Sequence, residues 1–296
     1  MEKRAVFRAG SLAYLLILPQ LLLVFVFFYW PTGAALYWAF TLEMPWGGGN
    51  QWVGLENFSA VLNDAKYWSS VAASCVFAFA ATALALAQAL VLALFVDRQL
   101  RGSKSFRSFY VWPYAVAAPA VSLAFRFIFA PETGLVAFVN QWWPGLWNPS
   151  INGAQAMTLV VLCFAWKWIG YNFIFLLAAL QSIPRALTEA SAMDGAGPLR
   201  RMLDIQLPLL TPTFFFLLVI NLTESFVGAD SFGIVDILTE GGPANATNLL
   251  VYKIYSDGFK GLDYSGAAAQ SIILMLLVMV LTFIQFRWVE RRVHYK

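Results

Sequence analysis

An ionisable side chain inside a long apolar run is costly to keep there, so the few in this sequence mark where chemistry is possible. Lys167 stands in the apolar run 154–180, Glu224 and Asp230 in the run 209–232, and Arg126 near the end of the run 108–129. Arg126 and Asp230 fall close enough to the ends of their runs for the charged tips to reach the water interface. Lys167 does not, because a rise of about 1.5 Å per helical residue puts it ~19 Å from the start of its run. Two arrangements would stabilise its ammonium: a buried pair with Glu224, whose depth differs by about 7 Å on the same measure, or contact with an anionic ligand. The pair is the favoured expectation, since it satisfies both charges without a ligand. Tyr171 follows Lys167 by four residues and shares its helix face, with Asn172 beside it, and Asn221 precedes Glu224 by three. Lys167, Tyr171, Asn172, Asn221 and Glu224 are therefore the candidates to line a solute path. For Asn172 and Asn221 an interhelical hydrogen bond is an equal alternative.

Covalent chemistry finds little support. There is no G-x-x-x-x-G-K-[ST] phosphate loop, and Cys75 and Cys163 both lie in apolar runs without disulfide or metal-ligand spacing. No catalytic residue, metal site or cofactor of the chain's own is expected. Hydrophobic residues make up 60% of the chain and charged ones 12%, a balance that suits lipid as solvent. The net charge of +3 is spread over short segments, which argues against a nucleic-acid partner.

Apolar runs of membrane-crossing length predict six helical spans near 12–38, 69–96, 108–129, 154–180, 209–232 and 264–286, in one membrane domain covering 1–296. The run from Leu12 to Trp30 is too long for a signal-peptide core and reads as an uncleaved first span. Most cations gather in alternate connections: Lys3, Arg4 and Arg8; Arg98, Arg101, Lys104 and Arg107; Arg185, Arg200 and Arg201; Arg287, Arg291, Arg292 and Lys296. The excess of positive charge places that side, with both termini, in the cytoplasm. The opposite connections hold Gly47-Gly48-Gly49, Trp142, Trp143 and Trp147, the turn Gly241-Gly242-Pro243 and the half-apolar stretch 249–255. They read as short folded caps, the last with a helix leaning on the membrane face.

The cytoplasmic connection 181–208 has the most internal pattern. Ser182 is suited to cap a short helix that tolerates Pro184 in its first turn, and Gly195 supplies a left-handed stop. Arg185 and Glu189 lie four apart and can pair, while Ala186, Ala190 and Ala192 are small enough for another protein to come close. A second short helix is expected from Pro198 to Pro208. By composition alone this could be an amphipathic loop lying on lipid headgroups. The spacing of Glu189-Ala190-Ser191, Asp194-Gly195-Ala196 and Ile205-x-Leu207-Pro208, however, resembles the EAA motif of binding-protein-dependent ABC importer permeases. Ser191 stands where that family usually has Ala, and Met202 where it often has an aromatic.

The resemblance extends along the chain to the carbohydrate-type permeases through Gly54-Leu55-Glu56-Asn57-Phe58 and Gly241-Gly242-Pro243. Trp112-Pro113-Tyr114, Trp166-Lys167, Tyr171-Asn172-Phe173 and Ala268-Ala269-Gln270-Ser271 make it similar, within them, to permeases of sn-glycerol-3-phosphate importers. It implies an all-α membrane fold of the type I importer kind, with a cytoplasmic coupling helix that seats in an ATPase. Glu189, Ala190, Ser191, Asp194, Gly195, Ala196, Leu207 and Pro208 would form that coupling site. It further implies a second homologous permease, a dimeric ATPase that holds ATP and magnesium, a periplasmic substrate-binding protein, membrane lipid around the spans, and residence in a bacterial inner membrane. Under it, the anion for Lys167 would be a phosphate. A maltose-like oligosaccharide or another glycerophosphodiester is the alternative cargo. An ion-coupled secondary transporter, which would normally need an inverted repeat or more spans, and a structural scaffold are the competing classes.

Overall fold

The computed structural model of the chain describes residues 11–43, 49–97 and 103–289. Lys3, Arg4, Arg8, Gly47, Gly48, Arg98, Arg101, Glu290, Arg291, Arg292 and Lys296 lie outside the described residues, as do the side chains of Lys104, Arg107 and Arg185 and hence the expected Arg185–Glu189 pair.

Close packing divides the chain into two compact units, one of residues 1–63 with 257–273 and one of 64–256 with 274–296. In the first, α1 (Ser11–Val24) continues through a π turn at Phe25–Tyr29 into α2 (Trp30–Ala39), and the apolar span Tyr14–Ala39 keeps almost none of its surface inside the chain. β1 (Thr41–Glu43) and β2 (Asn50–Trp52) form a small antiparallel hairpin. Asn57, in α3 (Glu56–Asn63), donates to the carbonyls of Ala39 and Thr41, both at 2.9 Å, fastening the end of α2 to the hairpin.

The second unit is built on α4 (Ala65–Asp97), α5 (Ser103–Ala115), α6 (Ala118–Ile128), α7 (Ala137–Trp142) and α8 (Gly153–Ser182). It continues with α9 (Arg185–Met193), α10 (Pro198–Arg201), α11 (Leu207–Leu209), α12 (Thr211–Val227), α13 (Ala229–Leu238) and α14 (Leu250–Tyr255); α15 (Tyr264–Ile284) runs through both units. Ala78, Ala81, Ala85, Ala89 and Ala93 are fully buried along α4, where side chains this small let α8 come close enough for dispersion contacts to act. Around that seam Phe77, Phe164 and Trp168 fill one core cluster, and Leu86, Phe173, Leu176 and Leu217 another.

Among the described residues four helices are long and apolar enough to cross a membrane, and six if each of two bent pairs counts as one span. The first of these bends and a separate break at Gly228 interrupt runs expected to be continuous. The run 108–129 breaks between Phe109–Ala115 and Ala118–Ile128 with an angle of 111°. Ala117 is extended there and Pro119 opens the new helix, where its missing N–H costs nothing. The run 209–232 stops at Val227, passes through an extended Gly228 and restarts as α13. Its approach, Pro198–Leu209, meets α12 at 68°.

The connections between α6 and α8 and between α13 and α14 are held by side chains. Asn140 donates to the carbonyls of Pro131 at 3.0 Å and Trp147 at 2.8 Å, and accepts from the Trp147 amide. The amide of Leu250, first residue of α14, donates to Ser74 Oγ on α4 at 2.7 Å, and Lys253 lies 3.6 Å from Asp64.

Candidate functional site

The two helix breaks meet at Lys167. A broken helix leaves carbonyls at the end of its first half and N–H groups at the start of its second without intrahelical partners. Lys167 is 3% exposed, and its Nζ donates to the carbonyls of Val116 at 2.6 Å and Tyr114 at 3.2 Å, the open end of α5. Its ammonium thus sits where the α5 dipole is negative. The carboxylate that faces it is Asp230, at 3.5 Å. Asp230 occupies the first turn of α13, where the helix dipole favours an anion, and it also accepts from Trp168 Nε1 at 3.1 Å.

This corrects the expected Lys167–Glu224 pair. Glu224 turns instead toward the second break: its Oε1 accepts the Asp230 amide at 3.3 Å, and its carbonyl accepts the Ser231 hydroxyl at 2.8 Å, so it caps α13. Helical depth measured along an unbroken span could not show this, because the break at Gly228 folds Asp230 back beside Glu224. Asp230 is accordingly engaged inside the protein, not extended to the interface. Arg126 is exposed, and its Nη1 donates to the Ile237 carbonyl at 3.2 Å.

Asn172 and Asn221 are fully buried and exchange both amide bonds, at 3.0 and 2.7 Å, with Asn221 also donating to Leu217 O at 2.7 Å. Tyr171 joins a series of rings: its centroid is 5.2 Å from Tyr114 and 4.9 Å from Phe175, which is 5.3 Å from Phe216. Tyr114, Phe175 and Phe216 are exposed side chains of one apolar face of α5, α8 and α12. Phe175 was legible as the residue four beyond Tyr171; Tyr114 and Phe216 carried no signal, since only the break and the packing bring them alongside.

At the other end of the unit, α9 closes in a Schellman turn. Gly195 has φ +77°, its amide donates to Ala192 O at 3.1 Å, and the Ala196 amide reaches back to Ser191 O at 3.0 Å. No neighbouring atom lies within 4 Å of where a Gly195 Cβ would stand, so the backbone angle alone selects glycine. The helix N-cap is Pro184, without a side-chain cap bond, and Ser182 donates to Ala179 O; the expected Ser182 cap is replaced because Ser182 still belongs to α8. Ser191 is buried and donates to Thr188 O, while Glu189, Ala190 and Asp194 are exposed and Ala196 is half-buried. Leu187 is 46%, Met193 89% and Leu199 66% exposed, large apolar side chains with little cover from their own chain. Leu207 and Pro208 lie half-buried in α11, where Thr211 Oγ1 donates to Pro208 O at 2.6 Å and marks the bend into α12.

Comparison with known proteins places this geometry. Residues 11–295 match the family of binding-protein-dependent transport system inner membrane components. The sn-glycerol-3-phosphate transport system permease protein UgpA of Pectobacterium atrosepticum is 46% identical over 295 residues, covering 100% of this chain and 99% of that protein. UgpA of Rhizobium meliloti is 47% identical over 293 residues, with 99% of each covered. A crystal structure of a bacterial ABC transporter involved in alginate import has a chain of the same fold, with TM-score 0.81 at 22% identity over 95% of this chain and 96% of that one. With a match over nearly its whole length and the bent type I arrangement of helices, the chain belongs to the binding-protein-dependent inner-membrane permeases, the multi-pass translocation components of ABC importers.

Proposed function

We propose that the chain carries sn-glycerol-3-phosphate, or glycerophosphodiesters, through the membrane as one of two homologous permeases driven by a dimeric ATPase and fed by a periplasmic substrate-binding protein. The observation that carries the coupling half of this reading is the glycine-turned α9, which presents Leu187 and Met193 uncovered on the segment that bears the Glu189–Ala196 pattern. Large apolar side chains left in the open on a short helix suit a hydrophobic cleft of a partner protein. ATP and magnesium belong to that partner. The cargo is supported by the full-length relatives, which are named for sn-glycerol-3-phosphate.

Both termini and the segment 181–208 face the cytoplasm in this reading, as the distribution of Lys and Arg favours. The aromatic series Tyr114, Tyr171, Phe175 and Phe216 lines the path opposite the second permease, and Glu224 borders it. Lys167, Asn172 and Asn221 shape that wall from behind, because their polar atoms are taken up inside the chain. The test is uptake by the assembled complex in proteoliposomes, with radiolabelled sn-glycerol-3-phosphate and a maltose-type oligosaccharide supplied separately with their binding proteins. ATP-dependent accumulation of the phosphorylated solute is expected, and accumulation of the oligosaccharide alone would reassign the cargo. Cysteine labels near Leu199 should react from the cytoplasmic side and labels near Gly242 from outside; the reverse pattern would overturn the topology.

A further inference from the structure

Beyond the packing of single helices, the unit contains a closed circuit of polar contacts around α6 and α13. The two half-helices lie against each other where Gly233 faces Ala118 and Pro119, with space for a Cβ only at 3.4 Å from the Ala118 methyl. At one end they are fastened through Lys167, which grips the carbonyls of Tyr114 and Val116 just before α6 and the Asp230 carboxylate in the first turn of α13. At the other end Arg126 of α6 donates to the Ile237 carbonyl of α13. α12 joins the circuit through Glu224, which holds the Asp230 amide and the Ser231 hydroxyl across the Gly228 break. Gly170 completes it, since a Cβ there would fall 2.5 Å from Tyr110 O and keep α5 away from the Lys167 face of α8.

We propose that Lys167 is a positioning residue for transport, the pin that ties the end of α5 to the first turn of α13, so that both follow when the coupling segment displaces α12. The inference rests on the reading of segment 181–208 as the contact with an ATPase. Its mechanical basis is the nature of a break: two helix halves joined by an extended residue transmit a displacement only if other bonds bridge the joint. The third and fifth spans each have such a joint; Glu224 bridges the one at Gly228, and one ammonium ties the α5 end at the first joint to the first turn of α13 beyond the second. An apolar side chain at position 167 could fill the space, but it could not hold two free carbonyls and a carboxylate together. With the pin removed, movement of α12 would still reach α13 through Glu224 but would no longer pass to the end of α5.

The test uses the complete complex and reads molecules of radiolabelled sn-glycerol-3-phosphate imported per ATP hydrolysed. Lys167→Met and Asp230→Asn should each lower that ratio by at least about tenfold, and Lys167→Arg should recover part of the loss. A residue that only stabilises the fold would lower yield and leave the ratio of the surviving complexes unchanged. Asp230→Asn keeps both carbonyl bonds of Lys167, so it decides the matter if Lys167→Met does not assemble. A cargo-independent measurement accompanies it: spin labels on the exposed positions Trp112 of α5 and Leu203 of the coupling segment, with their separation followed upon ATP binding. Wild-type complex should show a displacement that Asp230→Asn lacks. Equal displacement in the two overturns the pin whatever the solute, whereas a wild-type complex that displaces but does not accumulate sn-glycerol-3-phosphate overturns only the cargo.

Discussion

The segment 181–208 and the Lys167 knot differ in where their interactions end. Around Lys167 every strong donor is matched within the chain: the ammonium has two carbonyls and a carboxylate, and Asn172 and Asn221 satisfy one another. On α9 the reverse holds, with Met193 89% exposed on a helix that its own chain barely covers. A region complete in itself acts through its own chain, and large apolar side chains left open suit a partner. Substitutions in the first should therefore register in the isolated subunit, and substitutions in the second only in the complex.

The largest effect on the subunit is expected from Lys167→Met, which leaves Asp230 and two carbonyls unmatched; breaking a buried pair costs about 3–5 kcal/mol, and partial exposure of Asp230 places this one toward the lower figure. Adding Asp230→Asn should restore much of the loss, while adding Glu224→Gln should restore none. Thermal unfolding of the four proteins in detergent checks both statements, and rescue by Glu224→Gln would return Glu224 to the role of partner. Gly195→Val comes next. Forcing a β-branched residue into the left-handed turn costs ~1–2 kcal/mol, confined to the end of α9, so the subunit should insert normally while ATP-driven uptake falls by at least about tenfold. Wild-type uptake in that variant would show that the elbow is dispensable.

Asn221→Ala should cost less, about 0.6–1.7 kcal/mol as for other interhelical polar bonds in membranes, and the further change Asn172→Ala should add little because the bond is already gone. Full additivity in that cycle would mean the two amides act separately. Met193→Asp is the smallest perturbation of the fold, within about 0.5 kcal/mol as for an exposed site, yet it should abolish copurification with the ATPase. Retained copurification would erase the contrast between the two regions.

These regions also differed in how far the sequence revealed them. The α9 elbow is a local device in which Gly195, Ala196 and Ser191 lie within six positions, so residue types and spacing suffice to read it, and only the cap moved, from Ser182 to Pro184. The knot depends on joints. Hydropathy records a continuous apolar run across residues 116–117 and across Gly228, because Ala, Val and Gly interrupt a helix without interrupting its apolarity. Counting residues along those runs put Lys167 within about 7 Å of Glu224 in depth and left Asp230 at the water interface. A signal was present in Pro113 and Pro119, which flank the first joint, and in Gly228 at the second. Read as stops within a span, they would have brought Asp230 inward.

The Ser74–Leu250 hydrogen bond has a consequence for how the chain is made. Its partners are 176 residues apart, and the donor is the amide that begins α14. During synthesis α4 is made long before residue 250 leaves the ribosome, so this bond forms only after later segments are threaded and the connection after α13 returns to α4. The loop 239–255 can therefore dock only once α8, α12 and α13 have taken their places, which makes resistance of that loop to protease a measure of completed biogenesis. Ser74→Ala should prolong the protease-sensitive stage in a pulse-chase experiment without altering the number of spans inserted.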